Sequence, residues 1–170
     1  MQSITIISGG QTGADRAALD FALEHDLAHG GWCPRGRLAE DGLIPAEYEL
    51  KETPSRRYAQ RTEWNVRDSD ATVLLTMGRQ LQGGTALTRD WAERLGKPWL
   101  HLIADEAASM SENEEAPGRP AVESAAAKLS AFLARHQVSR LNIAGPRASQ
   151  EPKIAGFVGN VLKKVWSGHL

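Results

Sequence analysis

Three short glycine-bearing stretches carry the first chemical signal in this chain: Gly9-Gly10-Gln11-Thr12-Gly13, Gly83-Gly84-Thr85 and Gly145-Pro146-Arg147. Glycine lets a backbone come close to an anion, and a helix N-terminus behind it presents free N–H groups with partial positive charge. Such turns also serve plain packing, so one alone is weak evidence. Arginines supply the complementary half. Arg56, Arg57 and Arg61 fall within residues 53–62, a stretch that holds no acidic residue. On a helix, Arg57, Arg61 and Asn65 stand at i, i+4 and i+8 and share one face. A guanidinium fork there suits a phosphate or carboxylate; the alternative is a solvated face answered by Glu63 and nearby acids. Arg35 and Arg37 either add to that pocket or pair with Glu40 and Asp41. Asp15 and Arg16 follow the first glycine stretch, and Asp15 either caps the helix or holds a sugar hydroxyl. Thr12 and Asp15 have the spacing of a capping box, with Asp replacing the usual Glu.

The residue types also exclude chemistry. Neither Gly9–Gly13 nor Gly83–Thr85 spells G-x-G-x-x-G, and no Walker lysine follows, which argues against a standard NAD dehydrogenase or P-loop NTPase. His25, His29, His101, His136 and His169 show no metal-ligand spacing, and no Ser/His/Asp order stands out. Cys33 is the only cysteine. No intrachain disulfide forms, and no dedicated protein metal site is expected. Lys and Arg total 20 against 21 Asp and Glu, so the long-range basic field of a nucleic-acid binder is missing. No leader pattern opens the chain, and no apolar run approaches the length of a membrane span. The expectation is a cytoplasmic protein with a small phosphate-bearing ligand and neither a nucleic-acid nor a membrane partner.

Placing three glycine turns on one edge requires strands and helices in alternation. Residues 3–8 (SITIIS), 71–76 (ATVLLT) and 99–103 (WLHLI) read as buried parallel strands, being short, apolar and rich in β-branched residues. Residues 141–144 read as a last strand. Residues 29–33 read as a second strand ending in a loop, and 48–51 as a short edge strand. Helices are expected after the first strand, from 54–55 to about 67, after Gly83, over 121–136, and after Pro152. The third of these turns Leu87, Trp91 and Leu95 toward the core and stops at Gly96. The span 105–120 is acidic and proline-flanked and is expected to be a mobile surface loop. With 170 residues, 41% of them apolar and 24% charged, the chain suits one α/β domain over 1–170. Its expected fold is an open Rossmann-like parallel sheet of about five strands with helices on both faces.

Several of these stretches together resemble a known family: residues 8–20, residues 30–34 with 39–42, residues 52–70, Gly83-Gly84-Thr85-Ala86, and residues 141–147. The chain resembles the molybdenum carrier proteins of the circularly permuted YpsA-like branch of the SLOG superfamily, over nearly its whole length. The resemblance implies a SLOG-type Rossmannoid fold, related to the lysine-decarboxylase-like LOG phosphoribohydrolases, and a nucleotide-derived or similarly anionic ligand. It also implies a homodimer or higher homo-oligomer. One departure concerns catalysis. LOG enzymes follow their glycine motif with a Thr and then a catalytic Glu, whereas here Thr88, Arg89 and Asp90 follow and no Glu precedes Glu93.

Three functions fit. In the first, a carrier holds molybdenum cofactor or a related nucleotide. Gly9, Gly10, Gln11, Thr12 and Gly13 form one cradle, and Gly83, Gly84 and Thr85 a second. Arg57, Arg61 and Asn65 add side-chain contacts, and Gly145 with Arg147 closes the edge. In the second, a phosphoribohydrolase-like enzyme cleaves an N-glycosidic bond, with Glu40, Asp41 or Asp90 stabilising an oxocarbenium-like state. The third is a nucleotide-sensing module.

Overall fold

The computed structural model describes residues 3–104 and 118–167. Most of the expected acidic loop over 105–120 therefore lies outside the described residues. The elements in chain order are β1 (Thr5–Ile7), α1 (Ala14–Glu24), β2 (His29–Gly30), β3 (Trp32–Cys33), β4 (Leu38–Ala39), β5 (Gly42–Leu43) and β6 (Lys51–Glu52), then α2 (Tyr58–Arg67), β7 (Ala71–Thr76), α3 (Gly83–Arg94), β8 (Trp99–Ile103), α4 (Arg119–His136), β9 (Arg140–Ala144) and α5 (Ile154–Ser167).

Five strands form a parallel sheet in the order β2-β1-β9-β7-β8. The strand formed last in the chain is therefore central. Counted from β9, the order becomes 3-2-1-4-5, the doubly wound arrangement, in which strand order reverses between the first and fourth strands. Here that reversal falls between β9 and β7, whose register sets Val73 opposite Ile143.

Side-chain alternation along these strands splits the core. Ile4, Ile6, Val73, Leu75, Leu141 and Ile143 join one large apolar cluster with α1, α4 and α5, where Phe21, Leu129, Phe157 and Val161 fill the interior. Their neighbours Thr72 and Asn142 are buried as well, and Asn142 Nδ2 donates to Thr72 Oγ1 at 3.2 Å. They lie on the opposite face, which α2 and α3 cover with buried Thr62, Asn65, Thr85 and Thr88. One face is a conventional hydrophobic core. The other mixes these polar groups with buried Ile7, Leu74, Val66 and Ala92.

Several expectations are corrected locally. The anticipated strand over 29–33 breaks at Gly31, whose φ of +134° suits glycine alone, because a Cβ there would run into the Ser8 carbonyl. Trp32–Cys33 instead pairs with Lys51–Glu52 in a separate two-stranded ladder, and β4 pairs β5 in a short hairpin. α2 begins at Tyr58, three residues beyond Ser55. The Ser55 hydroxyl oxygen accepts from Arg57 N at 3.0 Å, and Ser55 N donates to Gln60 Oε1 at 3.0 Å. These local side-chain bonds hold the chain out of the helix. α3 buries Thr85, Thr88 and Ala92, whereas Leu95 is exposed, so its inward face is rotated away from Leu87, Trp91 and Leu95.

Candidate functional site

The loops that follow β9 and β7 enclose a cleft at the point where the strand order reverses, the usual location of ligand crevices in open α/β sheets. The cleft has two lobes that share Thr85 and Gln150. The larger, of about 490 Å³, is lined by Thr76, Gly78, Arg79, Gln80, Gln82, Pro146 and Glu151. The smaller, of about 40 Å³, is lined by Gln11, Asp15, Arg61, Gly84, Thr88, Gly145 and Arg147 among others. A single water needs roughly 10–15 Å³, so the small lobe has room for a few waters or one tetrahedral anion.

The small lobe is rich in donors. Gln11 Oε1 accepts from Thr12 N at 3.0 Å and from Glu40 N at 2.9 Å. Those two acceptor contacts fix the orientation of the amide and make Nε2 the donor end. Gln11 Nε2 is buried and has no partner, and the same is true of Arg61 Nε. The start of α3 adds to them. Gln82, its N-cap residue, makes no side-chain capping bond, and a Cβ on Gly83 or Gly84 would meet nothing within 4 Å. Gly83 holds φ at +51°, which glycine adopts freely. The first turn of α3 therefore opens onto the cleft.

The start of α1 is arranged differently. Ala14 N donates to Pro146 O at 3.2 Å, and Gln11 N donates to Asp15 Oδ2 at 3.3 Å. Gly13 packs against the backbone of Arg147 and Ala148, and Gly145 against Leu75 O and Ala14. Close approach of protein segments, rather than open space, is what these glycines provide. Gly9 serves a side chain, since a Cβ there would collide with the Arg61 guanidinium. No capping box forms: Thr12 Oγ1 donates to Glu40 and accepts from Ala148 N at 3.1 Å.

Asp15 is 3% exposed and its Oδ2 accepts from Arg61 Nη1 at 3.0 Å. Burial pushes its carboxyl above the usual carboxylate range, and the Arg61 charge and Gln11 N–H recover only part of that shift. Arg61 and Arg147 bring two guanidiniums to the lobe, each about 6 Å from the centre of the Tyr58 ring (5.9 and 5.8 Å).

The structure brings together Gly9, Gln11, Asp15, Arg61, Gly84, Thr85, Gly145 and Arg147 around the small lobe. Other sequence candidates fall elsewhere. Arg57 is exposed at the N-cap of α2, so it does not continue the helical row of Arg61 and Asn65. Asn65 is buried with both ends of its amide on the Trp32 backbone, accepting from N at 2.7 Å and donating to O at 2.9 Å. Arg35 is exposed, and Arg37 hydrogen-bonds the carbonyls of Ile44, Pro45, Tyr48 and Leu50. Arg16 forks onto Asp41 at 3.1 and 3.2 Å and onto Gly10 O.

The three candidate catalytic carboxylates are not gathered. Asp41 holds Arg16, and Asp90 holds the adjacent Arg89 at 2.7 Å without lining either lobe. Glu40 accepts from Thr12 Oγ1, from Ser149 N at 3.1 Å and from Ser149 Oγ at 2.5 Å. The Ser149 and Thr12 bonds hold its carboxyl below the usual range. The carboxylates that do line the cleft are Asp15 and Glu151. Sequence reasoning missed Glu151, Gln150 and Thr88. Glu151 Oε2 accepts from Met77 N at 2.7 Å and so ties the loop after β7 to the start of α5. The only trace of this in the sequence is a polar run between Arg147 and Pro152.

The architecture defines a Rossmann-like protein whose doubly wound sheet is cut and rejoined so that its central strand comes last, with a polar cleft at the switch point. The chain belongs to the circularly permutated YpsA SLOG family, whose model matches residues 6–166. It is 44% identical to a putative molybdenum carrier protein from Syntrophus aciditrophicus SB, whose crystal structure is similar at a TM-score of 0.86, over 96% of each chain. Among curated proteins no match was found.

Proposed function

We propose that this chain is a binding protein of the carrier type that holds a small phosphate-bearing molecule in the switch-point cleft. A molybdenum cofactor or a nucleotide derivative is the cargo. The family and the neighbour's name point toward a molybdenum carrier of the SLOG type. The observation that carries the reading is the pair of buried, partnerless donors, Gln11 Nε2 and Arg61 Nε. An unmet buried donor costs about 1–3 kcal/mol, and oxyanion oxygens in the small lobe would relieve both. On this reading the small lobe takes the phosphate group. Among the described residues no group of three His, Cys, Asp or Glu is placed to hold a metal ion.

The larger lobe has the volume of a typical small-ligand pocket and would take the body of the molecule. N-glycosidic cleavage and nucleotide sensing use the same cleft, but the first needs a carboxylate at the sugar. Glu40, Asp41 and Asp90 are committed elsewhere, and the two carboxylates that line the cleft are bound to the protein, Asp15 by Arg61 and Glu151 by Met77 N. A homodimer and a cytoplasmic site of action complete the proposal. Among the described residues no helix is long and apolar enough to cross a membrane.

A thermal-shift screen against AMP, ADP-ribose, NAD, GTP, molybdate and molybdopterin cofactor tests the reading. A ligand at one hundred times its Kd adds about 2.7 kcal/mol of stability. The expected result is a shift with a phosphate-bearing compound that Gln11→Leu and Arg147→Ala each reduce, without release of free base. If no compound shifts the transition, the cleft is not a phosphate site.

A further inference from the structure

The small lobe contains an acceptor among its donors. Asp15 lines the lobe beside Arg61, Arg147 and Gln11, and it is almost wholly buried. Its Oδ2 is already bound to Arg61 Nη1 and Gln11 N. An oxyanion entering this lobe meets a carboxylate at close range. Two ionised oxygens cannot share a dry contact, because like charges repel strongly in a low-dielectric site. A proton must sit between them, and either partner can supply it. A hydrogen phosphate carries one. Sulfate, fully ionised throughout the neutral range, does not.

We propose that Asp15 decides which anions this lobe accepts: it admits a phosphate group that brings a proton, and it holds a fully ionised oxyanion such as sulfate only once the Asp15 carboxyl is itself protonated. This rests on the reading of the cleft as a phosphate site. The upward displacement of the Asp15 carboxyl by burial brings its titration closer to neutral pH, where the choice matters. The charged groups facing it are Arg61 from α2, Arg16 from its own helix α1, and Arg147 from the loop after β9; Glu40 lies beyond Thr12. The arginines stay charged throughout. His101 Nε2 lies 2.7 Å from Thr76 Oγ1, which lines the larger lobe.

Sulfate is the clean probe, since any pH dependence of its binding comes from the protein. Calorimetric titration of the full chain between about pH 5 and pH 8 should show sulfate affinity falling as pH rises, by up to tenfold per unit. The same titration run in two buffers of different ionisation enthalpy should show proton uptake on sulfate binding approaching one. Asp15→Asn replaces the acceptor with an amide that can donate. It should flatten the sulfate profile and raise sulfate affinity relative to phosphate at the upper end. An unchanged slope in the variant assigns the titration to another group, His101 first, and overturns the proposal. So does a wild-type profile that is flat while sulfate binds. If the variant does not fold, the buffer comparison on the wild-type chain decides: sulfate binding without proton uptake overturns the proposal. Absence of binding by both sulfate and phosphate at every pH overturns the phosphate-site reading itself, and this inference with it.

Discussion

At the residue scale, glycines of three similar turns do different physical work. Gly9 makes room for the Arg61 guanidinium, Gly145 for the Leu75 carbonyl and Ala14, while Gly84 faces open space. Alanine substitutions should separate these roles. Gly145→Ala forces a Cβ onto backbone and should destabilise the fold by about 1–3 kcal/mol, as overpacking does. For a chain of this size that is a fall in Tm of roughly 2–4 °C per kcal/mol. Gly9→Ala pushes on the far end of the Arg61 side chain rather than on backbone, so Tm should fall less than in Gly145→Ala even though the Arg61–Asp15 pair is disturbed. Anion affinity should nonetheless fall about tenfold or more, since a charged hydrogen bond contributes about 1.5–3 kcal/mol. Equal Tm losses in the two variants, measured by calorimetry, would count against this division. The sequence shows both glycines and cannot show the difference, because each role is set by an atom from another segment.

At the scale of elements, the hairpin β4–β5 is tied to α1 and its turn by the Arg16–Asp41 pair and the Glu40 N to Gln11 bond. The Glu40 carboxylate links it to both Thr12 and the loop after β9. Glu40 takes hydrogen bonds from Thr12, Ser149 N and Ser149 Oγ. These bonds lower its pKa, so the stabilisation is fully present above the ordinary Glu value and is lost as pH falls through the lowered one. Acidification should free the hairpin first. Glu40→Gln should mimic that state at neutral pH, seen as faster hydrogen exchange at the amides of residues 38–43. Unchanged exchange in the variant would show that the hairpin is held some other way. The core strands and most helices were readable from apolar runs and helical spacing. The span 29–57 was not, because two-residue ladders and Ser55-centred side-chain bonds leave no periodic pattern.

At the scale of the molecule, strand order fixes the cleft. β9 lies between β1 and β7, so the loops following β9 and β7 diverge to opposite faces and leave a crevice. α5 runs from the carboxyl edge of β9 back to the amino edge, where its neighbour β1 begins. Trp166 near its end packs on Phe21 of α1, with ring centres 5.5 Å apart. A circular permutant that starts at Gln137 and joins residue 167 to residue 3 by a short Gly/Ser linker restores the 3-2-1-4-5 order along the chain. It should fold and bind the same anions with affinity within about threefold of the parent, about 0.6 kcal/mol. A permutant that folds but has lost binding would show that the native connection shapes the cleft.

Short windows of sequence were enough to specify the kinds of element, their alternation, and the three glycine turns that follow strands at one edge. Apolar period, β-branching, and glycine ahead of a helix are all local properties. Tertiary packing alone decided that β9 is central, that Arg61 rather than Arg57 or Asn65 reaches the small lobe, and that Glu151 lines the larger one. It also decided that Asp15 is a buried partner of Arg61 and not a helix cap. Each of these depends on segments brought together from far apart in the chain, such as Asp15 with Arg61 and Met77 with Glu151. A local pattern records which face a residue presents, whereas packing of the sheet and its helices fixes what that face meets.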